Sequence, residues 1–254
     1  MSLAQAPIGV FDSGVGGLSV LRALQAELPA ERWLYYADSR HCPYGGQSAE
    51  ALQARAAAIT EHFLAQGAKL VVVACNTATI AAIAHLRQRY ALPFVGMEPG
   101  VKPACEQTRS GVVGVLATGR SLAGEKFHQL LAAHARDVRV LTQPCTGWVE
   151  TVEAGVLDGP AVSALLRRDV EPLLAAGCDV LVLGCTHFPF LVPALQTLLG
   201  PTVSLIDTGP AVARQTRRVL AEQGLLREAG AGDVAWETSG DAAHFAAQRR
   251  ALGV

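Results

Sequence analysis

Neither charge sign is in excess in this chain: 21 lysines and arginines are matched by 22 aspartates and glutamates, a net charge of −1 over 254 residues. The basic residues are scattered, which speaks against a nucleic-acid surface or attachment to an acidic membrane. Long apolar runs are also missing. The longest are strand-sized, far short of a bilayer span. The opening MSLAQAPIGVFDSG has neither the basic stretch nor the apolar core of a secretion signal. The expectation is a soluble, cytoplasmic protein with no membrane or nucleic-acid partner. No CxxC or CxxH occurs, which argues against a structural zinc site, and no metal is expected. Lysine is scarce, with only Lys69, Lys102 and Lys126. None lies in an evident cofactor pocket, so a pyridoxal Schiff base is disfavoured and no cofactor is expected.

What the chain does have is apolar mass and cysteine. Half of its residues are hydrophobic, and the length suffices for one large or two small domains. Six cysteines are present: Cys42, Cys75, Cys105, Cys145, Cys178 and Cys185. Disulfide frameworks belong mainly to small secreted domains, so these read as free thiols. A free cysteine is by default a small buried hydrophobe, and Cys42, Cys105, Cys145 and Cys178 keep that reading.

Short β-rich runs alternate with Ala/Leu-rich helical stretches. The runs begin at Ile8, Trp33, Lys69, Phe94, Val112, Val138, Asp179 and Val203, with helical segments such as Glu50 to Gln66 and Val162 to Ala176 between them. This alternation predicts mainly parallel sheets with crossover helices. The tail after Gly209 reads as helix, loop and short helix. Pro/Gly-rich joints at Pro93 to Pro103 and Asp207 to Pro210 mark candidate boundaries.

An internal repeat carries more. GAKLVVVACNT from Gly67 parallels GCDVLVLGCTH from Gly177, an offset of 110. IGVFDSG from Ile8 parallels VGVLATG from Val113, an offset of 105. The period is too long for a solenoid and predicts one α/β unit used twice. The expected fold is two pseudo-symmetric α/β domains with the active site in the cleft between them. The first spans residues 1–97 plus 209–254 and the second 98–208. Ligands of open α/β sheets bind beyond the carboxyl ends of the strands, where Cys75 and Cys185 both fall. Asp12, Ser13, Ala117 and Thr118 end the other equivalent pair.

Two like groups on opposite sides of a substrate suit a reaction that removes a proton from one face of a carbon and returns one to the other. A thiol titrates near ~8.5, and a helix N-terminus or polar neighbour brings it closer to neutrality. Asn76-Thr77 and Thr186-His187 follow the two cysteines as strand-to-helix turns, whose amides suit a carboxylate. Asp12 and His187 are candidate proton partners for Cys75 and Cys185. The glycine-rich DSGVGGLSV from Asp12 lacks both the P-loop Lys-Ser/Thr and the GxGxxG spacing, and reads as a tight turn. Asp38 reads as a cap for the loop carrying Tyr44.

In order along the chain, FDSGVGGLSV, YYADSRHCPYG, VVACNTAT, VGMEPGVKPA, GCTHFPFL and IDTG resemble the successive motifs of bacterial glutamate racemases, from about Ile8 to Arg214. The resemblance implies cofactor-free racemisation of L-glutamate to D-glutamate for peptidoglycan synthesis, in a protein expected to be a homodimer. It matches Cys75 and Cys185 to the two proton donor/acceptors. Asp12, Ser13, Tyr44, Gly45, Asn76, Thr77, Thr186 and His187 match substrate-contacting positions, and Thr118 and Ser121 are further substrate-binding candidates, Ser121 still offering a hydroxyl where the family pattern has threonine. Glu153 matches an acidic residue assisting the second cysteine; from the residues alone it is open between that role and a helix-surface charge. The chain departs from the family pattern at Arg120, Ser121, Gly124, Phe127, Thr146 and Glu150. Rival classes are an aspartate racemase, a one-cysteine decarboxylase (against which the retained pair argues), a binding or regulatory protein on the same scaffold, and a redox dithiol.

Overall fold

Leu70–Val73 and Val180–Leu183 are apolar at every position and buried throughout, the pattern of central parallel strands covered on both faces. The computed structural model describes residues 3–254 and places each of these strands at the heart of its own sheet. The chain runs β1 (Ile8–Asp12), α1 (Leu18–Glu27), β2 (Trp33–Ala37), α2 (Ala49–Ala65), β3 (Leu70–Val73), α3 (Asn76–Arg89) and β4 (Phe94–Gly96). It continues through α4 (Val101–Gln107), β5 (Val112–Ala117), α5 (Gly119–Ala123), α6 (Glu125–His134), β6 (Arg139–Pro144), α7 (Trp148–Glu153), α8 (Pro160–Ala175), β7 (Val180–Leu183), α9 (Val192–Leu199) and β8 (Ser204–Asp207). It ends with α10 (Gly209–Glu222), β9 (Val234–Thr238) and α11 (Ala242–Ala251). Two units result, one comprising the chain up to Met97 with Gly209–Val254, the other Glu98–Thr208.

The first unit carries a parallel sheet in the order β4-β3-β1-β2-β9, the second a parallel sheet in the order β6-β5-β7-β8. Read from its other edge, the second reproduces β4-β3-β1-β2 strand for strand. Ile8 pairs with Leu70 in one sheet and Val113 with Val180 in the other. The offsets of 105 and 110 thus carry one partnered pair onto its counterpart, and the sequence repeat is a repeat of topology and register. Gly9 and Gly114 are a further matched pair. A Cβ on Gly9 would stand 2.5 Å from Phe63 Cδ2, and one on Gly114 2.5 Å from Leu181 Cδ2. In both copies the strand residue that follows the Ile8/Val113 position is left bare so that a large apolar side chain can lie over it.

The tail differs from its reading as helix, loop and short helix. β9 lies between its two helices and adds to β2 as a parallel edge strand, Trp33 opposite Val234 through Ala37 opposite Thr238. Val-Ala-Trp-Glu-Thr has neither clean alternation nor an apolar run, and four of its five residues are half-buried; tertiary pairing, not local pattern, makes it a strand. α11 then covers Tyr35, whose ring stacks on Phe245 at 6.0 Å.

Lys69 is buried at the opposite end of β3 from Cys75. Its Nζ donates to Glu31 Oε2 at 2.6 Å, Ala4 O at 2.7 Å and Leu225 O at 2.9 Å, while Glu31 Oε1 accepts from Arg227 N at 2.8 Å. All three ammonium protons are used to hold the N-terminal segment and the connection from α10 to β9 against the sheet. Among the described residues, no helix is long and apolar enough to cross a membrane.

Candidate active site

The first unit presents Cys75 just past β3, where it caps α3. Its backbone is extended and its Sγ accepts the Ala78 N–H at 3.4 Å. A sulfur so placed feels the free amides and the positive end of the helix dipole, both of which favour thiolate over thiol. Ser13 Oγ lies 4.0 Å from the same sulfur. The Asp12 carboxylate ends β1 and accepts from Gly17 N at 2.9 Å and Gly14 N at 3.3 Å, so it shapes the glycine-rich turn. Thr77 is buried. Asn76 is buried too, and neither its amide nitrogen nor its amide oxygen has a hydrogen-bond partner among the described residues. Leaving both ends of a buried amide unpaired costs on the order of 1–3 kcal/mol per group.

Tyr44 and Gly45 lie in the short turn Tyr44–Gly46. Tyr44 Oη donates to Asp38 Oδ2 at 2.6 Å, and Arg55 on α2 clamps the same carboxylate at 2.7 and 3.0 Å. Burial works to raise the Asp38 pKa, yet bonds from Arg55, Tyr44 and Ser239 hold it below its ordinary value. Asp38 thus anchors the Tyr44 loop. Burial, then the Asp38 charge, pushes the Tyr44 hydroxyl far up, so it stays protonated and donating.

The second unit builds a different apparatus around Cys185. Its Sγ lies 3.7 Å from His187 Nδ1, and His187 Nε2 lies 2.7 Å from Glu153 Oε1 at the end of α7. Burial opposes a charge on this imidazole, but hydrogen bonds and Coulomb attraction from Cys185 and Glu153 outweigh it, and the His187 pKa stands well above the ordinary value. Thr118 caps α5 by accepting from Ser121 N at 3.3 Å and donates to Ser121 Oγ at 2.9 Å. Thr186 and Ser121 are buried.

One expectation fails at the second cysteine. Thr186-His187 does not open an α-helix as Asn76-Thr77 does. A 3-10 turn runs from Phe188 to Leu191 and the α-helix begins only at Val192. Pro189 and Pro193 supply no N–H and hold the chain in a tighter turn. Cys185 therefore faces an imidazole where Cys75 faces a helix amide.

Several supporting residues escape a reading of the sequence. Arg55 lies 17 residues from Asp38 on a helix whose polar positions look like solvent face. Thr79 donates to Val73 O at 3.1 Å and accepts from Met97 N at 3.0 Å, tying α3 to β3 and β4. Trp148 and Asp169 bond each other through the indole nitrogen at 2.8 Å. None carries a local signal.

Comparison with known proteins names this arrangement. Residues 8–216 match the Asp/Glu/Hydantoin racemase family. The glutamate racemase of Ectopseudomonas mendocina is 60% identical over 95% of this chain and 92% of its own length. Among solved structures, the glutamate racemase of Thermus thermophilus in complex with β-chloro-D-alanine superposes with a TM-score of 0.84 at 35% identity, covering 99% of this chain and 94% of that one. Escherichia coli glutamate racemase, in complex with L-glutamate and the activator UDP-MurNAc-Ala, gives 0.84 at 32%, covering 97% and 95%. Two copies of one parallel α/β topology, each bearing a cysteine past a central strand, define an enzyme of the amino-acid racemase class. The chain belongs to the Asp/Glu/Hydantoin racemase family and, within it, to the glutamate racemases.

Proposed function

We propose that this enzyme interconverts L- and D-glutamate without a cofactor by moving the α-proton between Cys75 and Cys185. The observation that carries this reading is the equivalence of the two thiols: each lies two residues past the same strand of a repeated sheet, through matched registers. One cysteine, as thiolate, takes the α-proton from one face of the substrate; the other, as thiol, gives a proton to the opposite face. Turnover leaves the two protonation states exchanged, which is the state from which the reverse reaction starts.

The side chains around each sulfur divide the work. For Cys75, the Ala78 amide and the start of α3 favour the thiolate, with Asp12 and Ser13 at the neighbouring strand end. For Cys185, His187 accepts the thiol proton at Nδ1 while Glu153 stabilises the imidazolium through Nε2. The unpaired amide of Asn76 offers a donor to a substrate carboxylate and an acceptor to its ammonium. Ser13, Tyr44, Gly45, Thr77, Thr118, Ser121, Thr186 and His187 complete the binding set. The complex of the Escherichia coli relative with L-glutamate supports the choice of substrate. D-glutamate made in this way would feed peptidoglycan synthesis, from a homodimer in the cytoplasm.

The test is incubation of the purified protein with L-glutamate, and separately L-aspartate, in D₂O without added cofactor. Loss of glutamate optical activity with incorporation of α-deuterium is expected, and Cys75→Ala and Cys185→Ala should each abolish racemisation. Unchanged glutamate rotation, a strict pyridoxal requirement, or full racemisation by either alanine variant would overturn the proposal.

A further inference from the structure

We infer that Asp169 is a positioning residue for the Cys185 half of the reaction: through Trp148 it fixes α7 so that Glu153 meets His187. This rests on the racemase reading above. Asp169 is buried on α8 and touches none of the proposed substrate-binding residues in the contacts described, yet its carboxylate is spent on the approach to α7. Oδ2 accepts the Trp148 indole N–H at 2.8 Å, and Oδ1 accepts Gln143 Nε2 at 3.1 Å. Arg168 Nε and Nη2 close on the same two oxygens at 2.8 and 2.7 Å. Arg168 Nη2 also donates to Thr146 O at 2.8 Å. Two residues on, Trp148 begins α7.

Trp148 then links both ends of the relay. Its ring packs on Phe188 at 4.7 Å between centroids, and Phe188 is the chain neighbour of His187. Glu153 closes the six-residue α7 that Trp148 opens. One side chain therefore locates the imidazole through Phe188 and the carboxylate through the helix. The 2.7 Å bond between His187 and Glu153 depends on both placements, and misplacing a proton-relay group by an ångström costs roughly 100-fold in rate.

The test is a double-mutant cycle on the full-length enzyme, measuring kcat and KM in both directions for Trp148→Phe, Glu153→Gln and the pair. Trp148→Phe keeps a ring against Phe188 and loses the donor to Asp169. We expect it to lower kcat about 10-fold with KM within about 2-fold, and Glu153→Gln to lower kcat about 30-fold. The pair should be no slower than Glu153→Gln alone, because both changes break one relay. Multiplying effects, or a lowered unfolding midpoint with kcat intact, would assign Trp148 and Asp169 to packing and overturn the inference. Asp169→Asn, run through the same cycle, decides the matter if Trp148→Phe does not fold. A fully active Glu153→Gln enzyme overturns the inference and leaves racemisation by the cysteine pair standing; loss of racemisation in the wild-type protein instead overturns the proposed function.

Discussion

Cys75 and Cys185 hold matching places in a repeat but receive unlike help. The first sulfur accepts a helix amide, a fixed partial charge that does not titrate. The second faces an imidazole, whose charge depends on pH. His187 is buried, and Cys185 and Glu153 nevertheless hold its pKa well above 6.5. A cation whose folded pKa exceeds its unfolded value stabilises the fold fully below about pH 6.5, and that contribution is lost as pH rises through the folded value. Glu153→Gln removes one of the two groups responsible. Urea-unfolding curves of the wild type and this variant should therefore differ most below about pH 6.5 and converge at higher pH; a gap that widens with rising pH would sink the assignment. Carboxylates act in the opposite sense. Asp179 accepts from Thr108, Arg109 and Ser110, and although burial opposes this, its pKa is lowered to about 2. Its contribution is present above about pH 4 and fades as pH falls towards 2. The residues legible in the sequence are those joined to a strand end by chain connectivity, such as Asp12-Ser13, Cys75-Asn76-Thr77 and Cys185-Thr186-His187. Asp169 was not legible because its partner Trp148 lies 21 residues away on another helix, where nothing local separates a buried aspartate from a solvated one.

At the scale of elements, parallel sheets explain both what was readable and what was not. β3 and β7 are apolar on both faces and announce themselves, and their likeness revealed the repeat. β9 is a half-buried edge strand that exists through its pairing with β2, so its sequence alone reads as loop. The delayed start of the α-helix after Cys185 was hidden for another reason: the likeness of CNT to CTH masked Pro189 and Pro193 just beyond it. The matched glycines make a sharp prediction. Gly114→Ala would drive a methyl to 2.5 Å from Leu181 Cδ2 and 3.0 Å from Leu173 Cδ1. Overpacking of this kind costs about 1–3 kcal/mol. Gly9→Ala, directed at the ring of Phe63, should cost a similar amount. Denaturant midpoints measure both; Ala variants as stable as wild type would show that these cores have slack.

For the whole molecule, the decisive feature is discontinuity. The second unit is one unbroken stretch of chain, whereas the first is closed by residues that follow it. Ending the protein after Glu222 would remove β9 and α11, take Leu225 O from the buried Lys69 and uncover the Tyr35 ring that stacks on Phe245. It would also leave β2 with a bare edge, a template for association between chains. Such a truncation is expected to aggregate in size-exclusion chromatography with light scattering; a well-folded, non-aggregating product would show that the tail is dispensable.

Biosynthesis meets the same discontinuity in time. The ribosome delivers every strand of the second sheet, ending with Ser204–Asp207, before the first sheet has received its last strand. A nascent chain therefore passes through an interval in which the Cys185 sheet is complete while the Cys75 sheet is open along β2, with Lys69 still short of one acceptor. The last residues to emerge are the ones that seal the first sheet to be started.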